Sequence, residues 1–441
     1  MTTPPSSPLR NALSAHSAVG LIVGALLYIV CVTGTLVVFY PEMQRLEQWH
    51  APEMATIAPD AVQRGAAEVL ARERAAGLSP TTHMYVHLPV PDLPRATITT
   101  DTQAFHLATD GSIAVPEQIC WSDWAVKLHY GLSLPGLWGF VLVGVLGVMM
   151  LTLSLSGVLA LPRILRDAFR LKARSPGGVA LADWHNRLGT WTLPFAIAIA
   201  FTGAAIGLGS LGAWTLGKTE YAGDTLAVYA PIFGGETPGD PRDIAMPDVA
   251  AALQHMQARH PDVTVTYAIL HDPLQAGQHV QIAATHHRRL IFGEYYDFDA
   301  RGGFRGTAGL ADGAAGQQAA ASIYNLHFGN FGGLAVKLAY FVGGLAASVV
   351  AATGTFIWLG KRRRRGIREP RLHAAWHGVV WGSPAMLALT FAARMAIGNE
   401  APFDVIFWGG LLLCVAVAVT LAGRARAQTD AAPDIAGVPA T

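Results

Sequence analysis

The chain has 441 residues, of which 52% are apolar and only 14% charged. Soluble globular proteins carry about 25% charged residues, so this composition excludes a disordered chain, a nucleic-acid-binding chain and an ordinary soluble enzyme. Lysine plus arginine (31) balance aspartate plus glutamate (30), three cysteines cannot build a disulfide scaffold or thiolate cluster, and sixteen histidines remain to be explained.

A bilayer core takes about 20 consecutive apolar residues per helix. Six stretches reach that length: 18–40, 137–161, 188–211, 338–359, 378–397 and 405–422. The first is expected to be a retained anchor, because Phe39-Tyr40-Pro41-Glu42 offers no small-residue cleavage site. Arg394 interrupts the fifth near its end, where it is expected to snorkel to the interface.

Basic residues collect in alternate loops. Arg163, Arg166, Arg170, Lys172 and Arg174 follow the second stretch, Lys361-Arg362-Arg363-Arg364-Arg365 the fourth, and Arg424 and Arg426 the sixth. The positive-inside rule then puts both termini in the cytoplasm. The expected order is terminus and first helix (1–40), external module (41–132), second helix (133–162), basic loop (163–184), third helix (185–211), external module (212–330), fourth helix (331–360), basic loop (361–376), a two-helix hairpin (377–423) and a tail (424–441). The first module reads as a helix over 61–76 with strands at 82–88, 96–100 and 105–108, and a turn at Asp110-Gly111. The second reads as a helix over 247–260 with strands at 264–270, 279–284 and 294–298.

The chain repeats itself. His16-Ser-Ala-Val-Gly20 is followed by Thr33-Gly34, and His185-Asn-Arg-Leu-Gly189 by Thr202-Gly203, with 18 residues from histidine to second glycine in both. Leu128-His129-Tyr130-Gly131 and Leu326-His327-Phe328-Gly329 precede spans two and four, which later carry Ser156-Gly157 and Thr353-Gly354. Each copy has two spans, so the copies share orientation and can be related by a twofold axis along the membrane normal. The predicted fold is an α-helical membrane protein with a duplicated four-helix transmembrane core, a C-terminal two-helix hairpin and two small external α+β modules.

This arrangement sorts four histidines by depth. His16 and His185 lie at the cytoplasmic helix starts, and His129 and His327 at the external entries of spans two and four. Paired imidazoles on facing helices are the arrangement for bis-histidine b-type haem, and two such layers predict two stacked haems. Gly20 and Gly189, four residues after their histidines, and Gly34 and Gly203, five turns on, are expected to leave room for the flat macrocycle. Catalytic zinc fits less well, since each layer offers two histidines and no paired carboxylate. His373 and His377 share one helix face and are alternative ligands, and His286-His287-Arg288-Arg289 reads as an exposed basic turn.

These residues, with Asp183-Trp184-His185-Asn186-Arg187-Leu188-Gly189 and Trp358 ahead of the basic stop, give a chain that over about 10–365 resembles the PepSY-associated transmembrane family. That family consists of iron-regulated inner-membrane proteins and includes siderophore-iron reductases of the ferrioxamine-reductase type. The resemblance implies PepSY-like external modules, haem ligation by His16, His129, His185 and His327, and outward electron transfer that reduces ferric siderophores and releases Fe2+ in the periplasm. The short cytoplasmic segments hold no glycine-rich dinucleotide fingerprint, so electrons are expected from a separate cytoplasmic reductase or from quinol. The alternative is a haem-free, membrane-anchored PepSY regulatory or binding protein, or an accessory component of siderophore uptake.

Overall fold

The computed structural model describes residues 8–160, 166, 169, 178–235, 238–286, 290, 294–308 and 314–431. In chain order its elements are α1 (Pro8–Val37), α2 (Tyr40–Glu47), α3 (Pro59–Ala75), β1 (His83–His87), β2 (Thr97–Thr99), β3 (Ala104–Leu107), β4 (Ile113–Pro116), α4 (Cys120–Gly131), α5 (Leu137–Ala160), α6 (Val179–Trp191), α7 (Leu193–Glu220) and α8 (Leu226–Phe233). There follow α9 (Val249–Arg259), β5 (Val263–His271), β6 (His279–His286), β7 (Glu294–Phe298), β8 (Phe304–Ala308), α10 (Ala315–Phe328), α11 (Gly333–Arg364), α12 (Pro370–Ile397), a π-helical turn (Val405–Gly409) and α13 (Gly410–Ala431). The chain divides into two compact units, a helical one built from 8–38, 123–204 and 338–431 and a sheet-bearing one built from 39–122 and 205–337.

Six helices are long and apolar enough to cross a membrane: Arg10–Val37, Leu137–Ala160, Leu193–Glu220, Gly333–Arg364, Pro370–Ile397 and Val405–Arg424. This is a multi-pass membrane protein. Among hydrocarbon tails the hydrophobic effect does not drive helices together, and small residues that let backbones approach do that work. A side chain on Gly147 would stand 2.9 Å from the Ala204 nitrogen, and one on Gly378 would stand 2.8 Å from Val415 Cα. The hairpin of α12 and α13 is fastened to the rest of the unit: Tyr28 of α1 donates to the Val380 carbonyl at 2.8 Å, and Trp376 Nε1 donates to the Ala352 carbonyl at 2.9 Å.

Two features depart from the sequence reading. The third span does not begin at His185: α6 ends at Trp191 and α7 starts at Leu193, because Pro194 has no N–H to continue the ladder. Arg394 is buried, at 9% exposure, and faces the packed interior of the unit instead of snorkelling outward. Of the basic loop expected at 163–184, Arg163, Arg170, Lys172 and Arg174 lie outside the described residues, as do His287, Arg288 and Arg289 of the expected basic turn and most of the tail.

The expected helices and strands of both modules are present, with β4, β8 and the short helices α2 and α8 in addition. The modules are not separate bodies. Their strands form one antiparallel sheet in the order β4-β3-β2-β1-β5-β6-β7-β8. The seam is β1 with β5, where His83 faces His271, Tyr85 faces Ile269 and His87 faces Tyr267. One sheet face carries a continuous aliphatic core under α3 and α9, including Val62, Val69, Ile98, Leu253, Met256 and Ile282. The turn at Asp110-Gly111 tucks beneath α3, with Gly111 at φ +90° and its Cα so close to the Ala61 carbonyl that no side chain fits. Arg95 is 1% exposed and held by the Gln44 and Gln48 carbonyls and by Glu53.

Candidate functional site

Three of the four predicted histidines, His16, His129 and His185, lie in the helical unit, and each is held in the same way. His16 Nδ1 is 3.1 Å from the Leu153 carbonyl and 3.1 Å from Ser156 Oγ on α5. His129 Nδ1 is 3.1 Å from the Val30 carbonyl and 3.3 Å from Thr33 Oγ1 on α1. His185 Nδ1 is 2.9 Å from Thr353 Oγ1 on α11 and bonds the Val350 carbonyl. Carbonyl, hydroxyl and glycine thus stand at positions i, i+3 and i+4 of the receiving helix, and each imidazole lies over the glycine. A β-carbon on Gly157 would be 3.4 Å from His16 Cε1, on Gly354 3.5 Å from His185 Cε1, and on Gly34 2.7 Å from His129 Cε1.

This geometry determines the tautomer. Each receiving hydroxyl donates its own proton to its helix: Ser156 to Leu153, Thr33 to Ile29 and Thr353 to Val349. The hydroxyl oxygen and the carbonyl can then only accept, so Nδ1 carries the proton and Nε2 keeps its lone pair. An imidazole oriented through Nδ1–H is the tautomer that binds a metal through Nε2.

The rings of His16 and His185 face each other with centres 6.5 Å apart and planes at 87°. Two imidazoles on opposite sides of one metal, each nitrogen at about 2 Å, put ring centres about 6 Å apart. Among the described residues no three histidine, cysteine or carboxylate side chains gather in a way that would hold an ion directly. The pair therefore suits a metal whose other ligands come from a cofactor, which is the case for haem.

The four glycines stand in different surroundings. A β-carbon on Gly189, four residues after His185, would meet nothing within 4 Å, which leaves open space beside that ring. A β-carbon on Gly20 would make one ordinary contact, with Leu153 at 3.6 Å, and the space at Gly34 is filled by the imidazole of His129. Gly203 follows the buried Thr202 on α7, the position that matches Thr33-Gly34 in the other copy. His327 lies on α10 of the sheet-bearing unit, its ring 5.9 Å from that of Phe328. His373 and His377 come together with each other (4.7 Å) and with Phe356 (5.5 and 4.7 Å) instead of joining the His16–His185 pair, and both are exposed.

Sequence reasoning missed what surrounds His129. Trp124, on the same helix, donates to Asp404 at 2.8 Å, Ser133 donates to the same oxygen, and Trp124 packs against Phe403 and the fully buried Phe407 of the π-helical turn. A π turn widens the helix by one residue and re-aims side chains. Here it lets the appended hairpin brace the helix that carries His129.

The model of the PepSY-associated transmembrane region matches residues 13–361. The chain belongs to that family. The match ends before His373 and His377, and it leaves α12 and α13 outside. The chain is also similar to the uncharacterized protein PA4219 of Pseudomonas aeruginosa, with 29% identity over 253 residues, 54% of this chain. It covers 64% of that relative's length.

Proposed function

We propose that this family member is an inner-membrane electron carrier with two b-type haems, one held between His16 and His185, and that it reduces ferric siderophores on the periplasmic side. The observation that carries the reading is the facing pair at 6.5 Å with both Nδ1 protons committed elsewhere. The second haem rests on the sequence repeat, which matches His327 to His129.

Bound haem supplies one-electron chemistry through its iron. The chain does the rest. Its carbonyl–hydroxyl seats stop the imidazoles from rotating, and the apolar helices exclude water and insulate the path. The basic clusters in alternate loops support an orientation with both termini in the cytoplasm. The donor is a cytoplasmic reductase or membrane quinol, and the acceptor is a hard Fe3+ chelate whose oxygen ligands hold Fe2+ more weakly.

An absorption spectrum of the detergent-purified protein tests the proposal. Reduced bis-histidine haem bands are expected, with about half the haem lost in His16→Ala and in His185→Ala, and none in His373→Ala/His377→Ala. A colourless preparation from haem-sufficient cells would sink it in favour of an anchored, haem-free binding protein.

A further inference from the structure

Where the basic run joins α11 to α12, the two helices form a furrow whose walls carry matching stripes. Along one face of α11, Val349, Phe356 and Arg363 recur every two turns, and along one face of α12, His373, His377 and Trp381 recur every turn. Val349 is 37% exposed and Trp381 70% exposed, on helices long and apolar enough to span a membrane, so both stripes face lipid. Between the stripes the rings of Phe356, His373 and His377 stand in mutual contact, at 5.5, 4.7 and 4.7 Å, and bridge the two helices. Arg363, exposed and two turns beyond Phe356, stands at the mouth.

Charge at this end is one-sided. From 355 to 399 the sole carboxylate is Glu369. Arg362 takes it up, donating to both its oxygens at 2.9 and 2.7 Å while lying over the Trp358 ring at 4.8 Å. Gly366, at φ +82°, turns the chain after α11, so that Arg363, Arg364, Arg365, Arg368 and Arg371 gather around one short connection. Arg371 lies against α13, where a β-carbon on Gly423 would be 3.5 Å from its Nε. These charges repel a bare metal cation from the His373–His377 pair and draw in an anion. An anion that enters from the lipid-facing side must bring an apolar part with it.

We propose that this furrow seats the phosphate of an anionic glycerophospholipid. Arg363 supplies a forked donor for the phosphate oxygens at the mouth, and the imidazole N–H groups of His373 and His377 donate deeper in the furrow. The acyl chains lie along Phe356, Val349 and Trp381. Arg363, His373 and His377 are beyond the stretch that the family model matches, so the seat comes with the appended hairpin and gives it a role, the fixing of α12 to α11 through a bound lipid. It stands whether or not His16 and His185 hold haem.

The test is native mass spectrometry of the full chain, stripped of lipid in a neutral detergent and titrated with phosphatidylglycerol or phosphatidylcholine. One phosphatidylglycerol is expected to bind at least about tenfold more tightly than phosphatidylcholine. Arg363→Leu/His373→Leu/His377→Leu is expected to abolish that preference. Arg365→Gln/Arg368→Gln, which removes more formal charge from the neighbouring turn, is expected to keep it. Arg363→Leu alone is expected to weaken phosphatidylglycerol binding about fivefold, which keeps the seat testable if the triple variant does not fold. Inorganic phosphate in millimolar excess is expected to leave the lipid in place; displacement would make free phosphate the ligand and overturn the lipid assignment. The seat is wrong if the native chain does not distinguish the two lipids, if the triple variant or Arg363→Leu binds as the native chain does, or if the double variant loses the preference as fully as the triple one.

Discussion

Gly34→Ala isolates the seat of one imidazole. The new methyl would stand 2.7 Å from His129 Cε1, whereas carbon–carbon contact is comfortable from about 3.5 Å. The ring must therefore retreat by about 0.8 Å. Its Nδ1 bonds, already 3.1 Å to Val30 and 3.3 Å to Thr33, then pass beyond hydrogen-bond length. Losing one bond costs about 1 kcal/mol, and overpacking costs about 1–3 kcal/mol. Against this, alanine gains about 1 kcal/mol over glycine in a helix. The net expectation is a loss of about 1–3 kcal/mol. Gly157→Ala and Gly354→Ala are the controls, because their methyls meet His16 and His185 at 3.4 and 3.5 Å, where little or no movement is needed. Thermal unfolding in detergent should place Gly34→Ala well below both controls, and the two-haem proposal adds that only Gly34→Ala should alter one of two haem transitions in a redox titration. If the three variants melt together with unaltered haem transitions, the steric reasoning fails.

Lys337 is 6% exposed and bridges Glu42 at 2.7 Å and Asp92 at 3.1 Å, so Lys337→Met should destabilise the sheet-bearing unit by about 2 kcal/mol; limited proteolysis at loops near Asp92 would report it, and unchanged digestion would count against the clamp. Asp404→Ala removes the acceptor for Trp124 and Ser133, and it should loosen α4 and speed hydrogen exchange across 124–133, which mass spectrometry can follow. His106 is buried among Thr97, Gln48 and the charges of Arg95 and His50, and burial pushes its pKa down to about 4 from 6.5. Below pH 6.5 the unfolded chain therefore binds the proton that the folded one refuses, and stability falls as pH drops from 6.5 to 4, by about 3 kcal/mol in total. His106→Gln should flatten that part of the pH–stability curve, and an unchanged slope would refute the assignment.

Spans, repeat and histidine register were legible because each rests on local pattern: apolar run length, basic clusters and recurring short motifs. The amino-acid order alone put His16 and His185 at matching helix starts, and it marked all four hydroxyl–glycine dipeptides, although as features of a span and a cofactor surface. That three of them are imidazole seats became visible only when α5, α1 and α11 were brought against the histidines, because a carbonyl at i and a hydroxyl at i+3 serve a ring that comes from elsewhere in the chain. Likewise Pro194 was in view, but the apolar count continued through it, and only the backbone showed His185 on a separate helix. The seam between β1 and β5 joins strands nearly 180 residues apart, and two edge strands with free hydrogen-bonding groups carry no local mark of which edge will pair with which. The appended hairpin had no counterpart in the repeat to explain it, and its bracing of α4 through Asp404 and the π-helical turn depends on packing alone. Periodicity along the chain thus determined the elements, while tertiary contact decided which proton His16, His129 and His185 keep.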